Sequence, residues 1–382
     1  MTSAYDILDR LIAFPSVSRD GNIDLIRYIA DALAAAGIPS RLFPHENGDR
    51  ASLFATIGPA GPGGIVLSGH TDVVPVDGQA WTVDPFRMSR KGDRFYGRGT
   101  TDMKGFIACA MEAALAATER RLTRPLHLAL SYDEEIGCVG VRPMLDELAT
   151  AGIDPEWVLI GEPTTMQVAT GHKGKTGVKA YCTGHSAHSA LAPTGLNAIY
   201  MAAELLEEVR AIQAEIVDRG PRDDDYTVPY TTLHAGVIQG GTALNIVPDA
   251  CRLDFEIRNL AGDDPMAYMA RLFDKAERIT AEGRKRFRET GIRLDIFNTY
   301  PGLNVDPRGT ATETVKSLSG GQQFKVSFGT EGGLFEQAFG APSIVCGPGD
   351  MEQGHKPDEF IELSQMEACR TMLGKILDRL AQ

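Results

Sequence analysis

The stretch Gly69-His70-Thr71-Asp72, closing the apolar run Ile65-Val66-Leu67-Ser68, constrains the fold more than any other segment of the chain. A β-branched and aliphatic run of this length predicts a buried strand, with His70 emerging beside a glycine at its carboxyl end. In open α/β sheets that rim is where chemistry is placed. His70 and Asp72 are two positions apart, which in extended backbone sets both side chains on one face. There the carboxylate can accept the proton of the imidazole nitrogen not used elsewhere. A histidine held in this way is ready to ligate a metal, provided the rest of the chain supplies partners.

Strand and helix signals alternate through the first part of the sequence. Ile23 to Ala36 reads as an amphipathic helix stopped by Gly37, and Arg41 to Phe43 and Ala51 to Ile57 as short strands. After the strand that ends at His70, the segment Gly97 to Gly105 leads into an alanine-rich helix from Phe106 to Thr118. Leu126 to Ser131 is a strand running into Tyr132-Asp133-Glu134-Glu135, Val141 to Ala149 a helix, and Trp157 to Ile160 a strand running into Gly161-Glu162-Pro163. This alternation predicts an α/β domain, a mainly parallel sheet flanked by helices.

After Lys173-Gly174 the order becomes strand, helix, strand, strand, helix, strand, from Val178 to Phe297. That order predicts a small inserted α+β domain with helices on one face. The expected division is therefore 1–175, 176–301 and 302–382, the first and last forming one domain. Near Pro301 the chain returns to it, with a helix from Thr310 to Leu318, a strand from Ser343 to Cys346 and a final helix from Ser364 to Leu380.

Charge narrows the class of partner. The 51 acidic and 38 basic residues give a formal net charge of -13, which disfavours non-specific binding to nucleic acid or anionic membrane. No run approaches the roughly 18 apolar residues of a membrane span, and the N-terminal segment, with Asp6, Asp9 and Arg10, lacks the pattern of a secretory signal. Six dispersed cysteines without a C-x-x-C pair predict buried free thiols and a cytoplasmic location.

The chemistry-bearing residues collect at predicted strand ends and loops: His70, Asp102, Glu134, Glu135, Glu162 and, far downstream, His355. Imidazole with carboxylate makes the mixed nitrogen and oxygen shell expected for zinc, cobalt or manganese. Six such groups exceed the needs of one catalytic ion and suit two, about 3.5–4 Å apart, sharing a carboxylate and a water. Carboxylates crowded at one sheet edge also repel one another unless cations neutralise them. One must remain free as a base, and periodicity leaves open whether that is Glu134 or Glu135.

The segments G-H-T-D-V-V-P (69–75), G-R-G-T-T-D-M-K-G (97–105), S-Y-D-E-E-I-G (131–137), I-G-E-P (160–163), G-H-S-A-H-S (184–189), N-I-V-P-D (245–249), F-G-T-E-G-G (328–333) and G-P-G-D-M-E-Q-G-H-K-P-D-E-F (347–360) resemble, in order, the M20-type dinuclear zinc amidohydrolase and peptidase family. The resemblance spans nearly the whole chain. It implies two divalent ions, zinc or cobalt, with Asp102 bridging, His70 and Glu162 completing one site, and Glu135 and His355 the other. It further implies Glu134 as general base, Asp72 as the orienter of His70, and a cis bond between Asp102 and Met103. The inserted domain is then a ferredoxin-like lid and dimerisation domain. His188, delivered from a neighbouring subunit of a homodimer, would hold the developing oxyanion, and Asn245 and Arg258 would bind substrate.

Within the family the C-terminal motifs are most similar to acetylornithine deacetylases, which implies hydrolysis of N2-acetyl-L-ornithine to L-ornithine and acetate in arginine biosynthesis. Thr330-Glu331-Gly332 stands where the desuccinylases carry T-S-D, and Glu331 offers an anionic contact for a cationic substrate side chain. A broader N-acyl-amino-acid amidohydrolase, a succinyl-diaminopimelate desuccinylase or a dipeptidase would use the same site.

Overall fold

Apolar runs bounded by glycine and proline become strands nearly wherever the sequence predicts them. A computed structural model describes residues 2–382. Before the insertion come β1 (Ser40–Pro44), β2 (Ala51–Ile57), β3 (Gly64–His70), the short pair β4 (Ser89–Lys91) and β5 (Arg94–Tyr96), then β6 (Leu126–Ser131), β7 (Pro155–Pro163) and β8 (Val168–His172). The second unit holds β9 (Lys175–Thr183), β10 (Thr232–Gly240), β11 (Ala250–Arg258) and β12 (Gly291–Tyr300). The chain closes with β13 (Leu303–Asn304), β14 (Gln323–Val326), β15 (Ser343–Gly347) and β16 (Phe360–Glu362). The helices are α1 (Ala4–Ile12), α2 (Ile23–Ala35), α3 (Gly105–Ala117), α4 (Val141–Thr150), α5 (Ala198–Arg219), α6 (Pro265–Arg284), α7 (Thr310–Ser319), α8 (Gly332–Phe339) and α9 (Leu363–Leu380).

Two compact units result. One comprises Met1–Gly171, Leu303–Lys325 and Thr330–Gln382, and the other His172–Gly302 with Val326–Gly329. In the first, a nine-stranded sheet runs in the order β1-β2-β6-β3-β7-β15-β8-β13, with β14 joined to β8. The expected mainly parallel sheet is found only at the centre, where β6, β3, β7 and β15 are parallel neighbours; β1–β2, β2–β6 and β8–β15 are antiparallel, so the sheet is mixed. The short link between β1 and β2 permits only an antiparallel pair. The central strands are buried on both faces, as parallel strands covered by helices must be.

Register then aligns the ends that matter. Leu67 lies opposite Leu128 and Leu159, and His70 opposite Ser131, so β3, β6 and β7 deliver their following residues to one rim. Helix α3 is buried along most of its surface and packs against α1 and α9. Its Phe106 lies where a side chain on Gly161 would stand: a Cβ there would meet the ring at 2.0 Å. Glycine is therefore required beside Glu162. Helix α1, for which the sequence gave no prediction, is closed at its N-terminus by a capping box between Ser3 and Asp6.

The second unit has a four-stranded antiparallel sheet in the order β10-β11-β9-β12, with α5 and α6 packed against it. Alternation in β11 buries Cys251, Leu253, Phe255 and Ile257 toward those helices. Helix α5 runs to Arg219, well past the predicted end at Val209, because its alanines and glutamates carry the helix on without a breaker until Gly220.

Candidate metal centre

Five side chains from distant parts of the first unit form two clusters that share one aspartate. Asp102 turns Oδ1 toward His70, whose Nε2 lies 3.1 Å away, and Oδ2 toward His355, whose Nε2 lies 3.0 Å away. His70 Nε2 is also 3.8 Å from Glu162 Oε1, and His355 Nε2 is 3.0 Å from Glu135 Oε2. In each cluster one ligand atom per residue lies within 4.8 Å of the others. Ligand atoms about 2.0–2.2 Å from one zinc-sized ion sit on the order of 3 Å apart, so both donor sets fit such an ion. His70, Asp102 and Glu162 are buried, whereas the His355 side chain is 47 % exposed.

The electrostatics point the same way. Burial and neighbouring carboxylates push Glu162 and Glu134 well above the usual carboxylate range, and burial with Asp102 nearby pushes Glu135 to about 7. Burial also opposes the charge on Asp102, but hydrogen bonds from His355 and His70 outweigh it and hold that carboxyl low. Hydrogen bonds to Asp102 and Glu135 raise His355 to about 10; His70 is raised well above its ordinary value because the same kind of bonding overcomes its burial. A shell of acids this crowded demands positive charge, which divalent ions supply.

The neighbouring residues are fixed by short bonds. His70 Nδ1 is 2.9 Å from the backbone carbonyl of Asp72 and 3.5 Å from its Oδ1, so the nearer acceptor is the peptide oxygen. The carboxylate itself accepts the Ser18 hydroxyl at 2.7 Å and the amides of Glu134 at 3.2 Å and Glu135 at 3.4 Å. Asp72 thus ties the turn after β3 to the turn after β6. Glu134 is half-buried and accepts a bond from the Cys138 thiol at 3.3 Å. Ser18 and Cys138 carried no signal in the sequence, since a lone serine or cysteine in a loop has no spacing to read. The Asp102–Met103 peptide is cis.

Glu331 immediately precedes α8 and is only 2 % exposed, with Ser68 Oγ 3.5 Å from its Oε2. Burial pushes it up to about 7. The expected contact with a cationic substrate side chain has no open approach in this conformation.

In the second unit, His188 is exposed, and its Nδ1 accepts the amide of Ala190 at 3.1 Å. Ser189 N donates to Asn245 O at 3.0 Å, which sets His188 and Asn245 in adjoining loops. Those loops leave the sheet where Thr183 pairs with Ala250; Arg258 stands at the other end of β11, its Nε on Glu256 at 3.0 Å and its Nη1 on Tyr300 at 2.9 Å. A single copy of this unit therefore does not bring Arg258 to His188 and Asn245.

Parallel strand ends that converge two histidines and three carboxylates around a shared aspartate define a dinuclear metal-dependent amidohydrolase. The profile of peptidase family M20/M25/M40 matches residues 66–379, and the chain belongs to that family. It is 33 % identical to an acetylornithine deacetylase of Pasteurella multocida (strain Pm70), covering 98 % of this chain and 97 % of the relative. It is 32 % identical to one of Proteus mirabilis (strain HI4320), covering 98 % and 95 %. Among solved structures, an M20-family metallo-carboxypeptidase from Sulfolobus solfataricus shares the fold with a TM-score of 0.80, at 18 % identity and full coverage of both chains.

Proposed function

We propose that this protein hydrolyses the amide bond of N-acyl amino acids, with N2-acetyl-L-ornithine as its substrate, in cytoplasmic arginine biosynthesis. The carrying observation is the split presentation of Asp102 to two histidine and carboxylate clusters, with Glu134 beside them. Similarity to acetylornithine deacetylases over almost the full length supports the choice of substrate.

His70, Asp102 and Glu162 would hold one ion, and Asp102, Glu135 and His355 the other, zinc or cobalt by donor type. When bound, such ions supply Lewis acidity for the amide carbonyl and for water. Glu134 takes the proton of the attacking water as its oxygen adds to the carbonyl carbon. As the carbon–nitrogen bond breaks, the same carboxyl returns the proton to the leaving α-amine, and acetate and ornithine separate. Asp72 keeps Glu134 and Glu135 in register through their amides. In this reading the second unit is a lid and dimerisation domain, Arg258 grips the α-carboxylate with its planar fork, and Asn245 assists it. His188 donates to the oxyanion from the partner subunit of a homodimer. Exposed Val237, Ile238, Leu244 and Ile246, on the edge strand β10 and the loop after it, support contact with a second copy.

The test is a product profile over acetylated, succinylated and dipeptide substrates, with and without chelator. Chelator-sensitive release of ornithine, with kcat/KM for acetylornithine above every other compound, is expected. Equal turnover of neutral N-acetyl amino acids would move the reading to a broader amidohydrolase.

A further inference from the structure

A buried charged pair lies beside the metal centre without touching either donor set. Arg98 and Glu359 are each 1 % exposed, and Arg98 Nη1 donates to Glu359 Oε2 at 2.6 Å. Burying such a pair costs desolvation that well-packed apolar residues would avoid, so its partners indicate what it does. Glu359 spends its remaining acceptor positions on one loop: Oε2 takes the amide of Gly99 at 3.0 Å, and Oε1 takes those of Thr101 at 2.8 Å and Asp102 at 3.1 Å. Arg98 reaches the other way. Its Nη2 donates to Gln79 Oε1 at 2.7 Å, and Gln79 Nε2 donates to the backbone carbonyl of His355 at 2.9 Å.

The chain of bonds from the Asp102 amide through Glu359, Arg98 and Gln79 to the His355 carbonyl is continuous. It joins the backbones of the shared aspartate and of the most exposed ligand, segments more than 250 residues apart in sequence. His355 sits at φ +62°, a left-handed conformation that a histidine holds only when its surroundings fix it. We infer that Glu359, Arg98 and Gln79 form a positioning brace that sets Asp102 and His355 at ligating distance and so governs capture of the ion held by Asp102, Glu135 and His355. The inference rests on the two-ion reading of the centre. Gln79 governs the His355 side alone, while Glu359 governs the shared aspartate and therefore both ions. Neither is a catalytic residue.

The experiment titrates chelator-stripped full-length protein with Zn2+ against a chromophoric competitor, reading the affinity of each binding step. Wild type takes two ions. Gln79→Ala, a change at a half-buried loop residue, should weaken one step by about 10-fold or more and leave the other unchanged, since removing groups that orient metal ligands commonly costs about 10–100-fold. The thermal midpoint of the stripped protein should not move, which separates positioning from loss of structure. Glu359→Gln should weaken both steps. Two steps of wild-type affinity in Gln79→Ala would overturn the brace while leaving the two-ion centre intact, even were Glu359→Gln not to fold. A wild type that binds a single ion would overturn the two-ion reading and the brace with it.

Discussion

The thiol of Cys138 donates to Oε1 of Glu134 at 3.3 Å, the one side-chain hydrogen bond recorded for that carboxylate among the described residues. Burial and the nearby carboxylates push the Cys138 thiol well above its ordinary range, so it stays a neutral donor. A net hydrogen bond of this kind is worth about 0.5–1.5 kcal/mol, or roughly 2–10-fold in rate if it holds the base in its working rotamer. Cys138→Ala should therefore lower kcat within that range at unchanged KM, and Cys138→Ser, which keeps a donor, should recover most of it. Equal kcat in wild type and Cys138→Ala would show that the bond does not position the base.

The two ligand clusters differ in exposure, and that difference predicts the order of metal loss. His355 is 47 % exposed and His70 1 %. Chelator should remove one ion quickly from Asp102, Glu135 and His355, and the second slowly from the buried trio. His355→Ala should abolish the fast phase and keep the slow one. Stopped-flow metal release measures both, and a single common phase in wild type would contradict the assignment.

Where the sequence was legible, the reason was periodicity. The run Ile65 to Ser68 could only be a buried strand, and glycine next to His70 marked its exit, so the β3 rim followed. Strand parity failed one step later. The chain turns after His70, and the Asp72 carboxylate swings to the amides of Glu134 and Glu135 while its carbonyl meets the imidazole. The same limit left Glu134 and Glu135 indistinguishable, because they sit in a loop; in the structure one faces Cys138 and the other His355. Pairings such as His355 with Glu135, separated by 220 residues, depend on the sheet order, which no local pattern encodes. The joining of Arg98 to Glu359 is hidden for the same reason.

A subunit-mixing experiment tests the role proposed for His188. Glu134→Ala removes the base and should cost about 10²–10⁴ in kcat, and His188→Ala should also be severely impaired. If His188 serves the partner's site, a heterodimer of the two variants contains one site with an intact Glu134 and an intact incoming His188. Random exchange by reversible denaturation should then restore about a quarter of wild-type activity, as expected for a two-fold symmetric pair. No recovery in mixtures shown by tagged co-purification to contain heterodimer would place His188 in its own subunit's site or outside catalysis.

Two histidines outside the metal centre make acid sensitivity predictable. His127 is buried, stacks on Phe54 with ring centroids 5.2 Å apart, and has Nδ1 2.9 Å from Thr56 Oγ1; burial pushes it down to about 4. His172 is likewise pushed to about 4 by burial, a backbone bond to Lys173 only partly opposing it. In the unfolded chain both titrate near about 6.5. Because the folded value is the lower one, the unfolded chain binds more protons between these limits, and stability falls as pH drops through that window. The contribution is complete above about 6.5 and gone below about 4. His127→Gln keeps a polar partner for Thr56 but cannot take up the proton. Chelator-treated wild type should therefore lose roughly 2–3 kcal/mol more than this variant between pH 7 and pH 4.5 in urea unfolding. The carboxylates act equally in both proteins, so the difference isolates the imidazole. Parallel stability curves for the two would mean that His127 is as readily protonated in the folded chain as in the unfolded one.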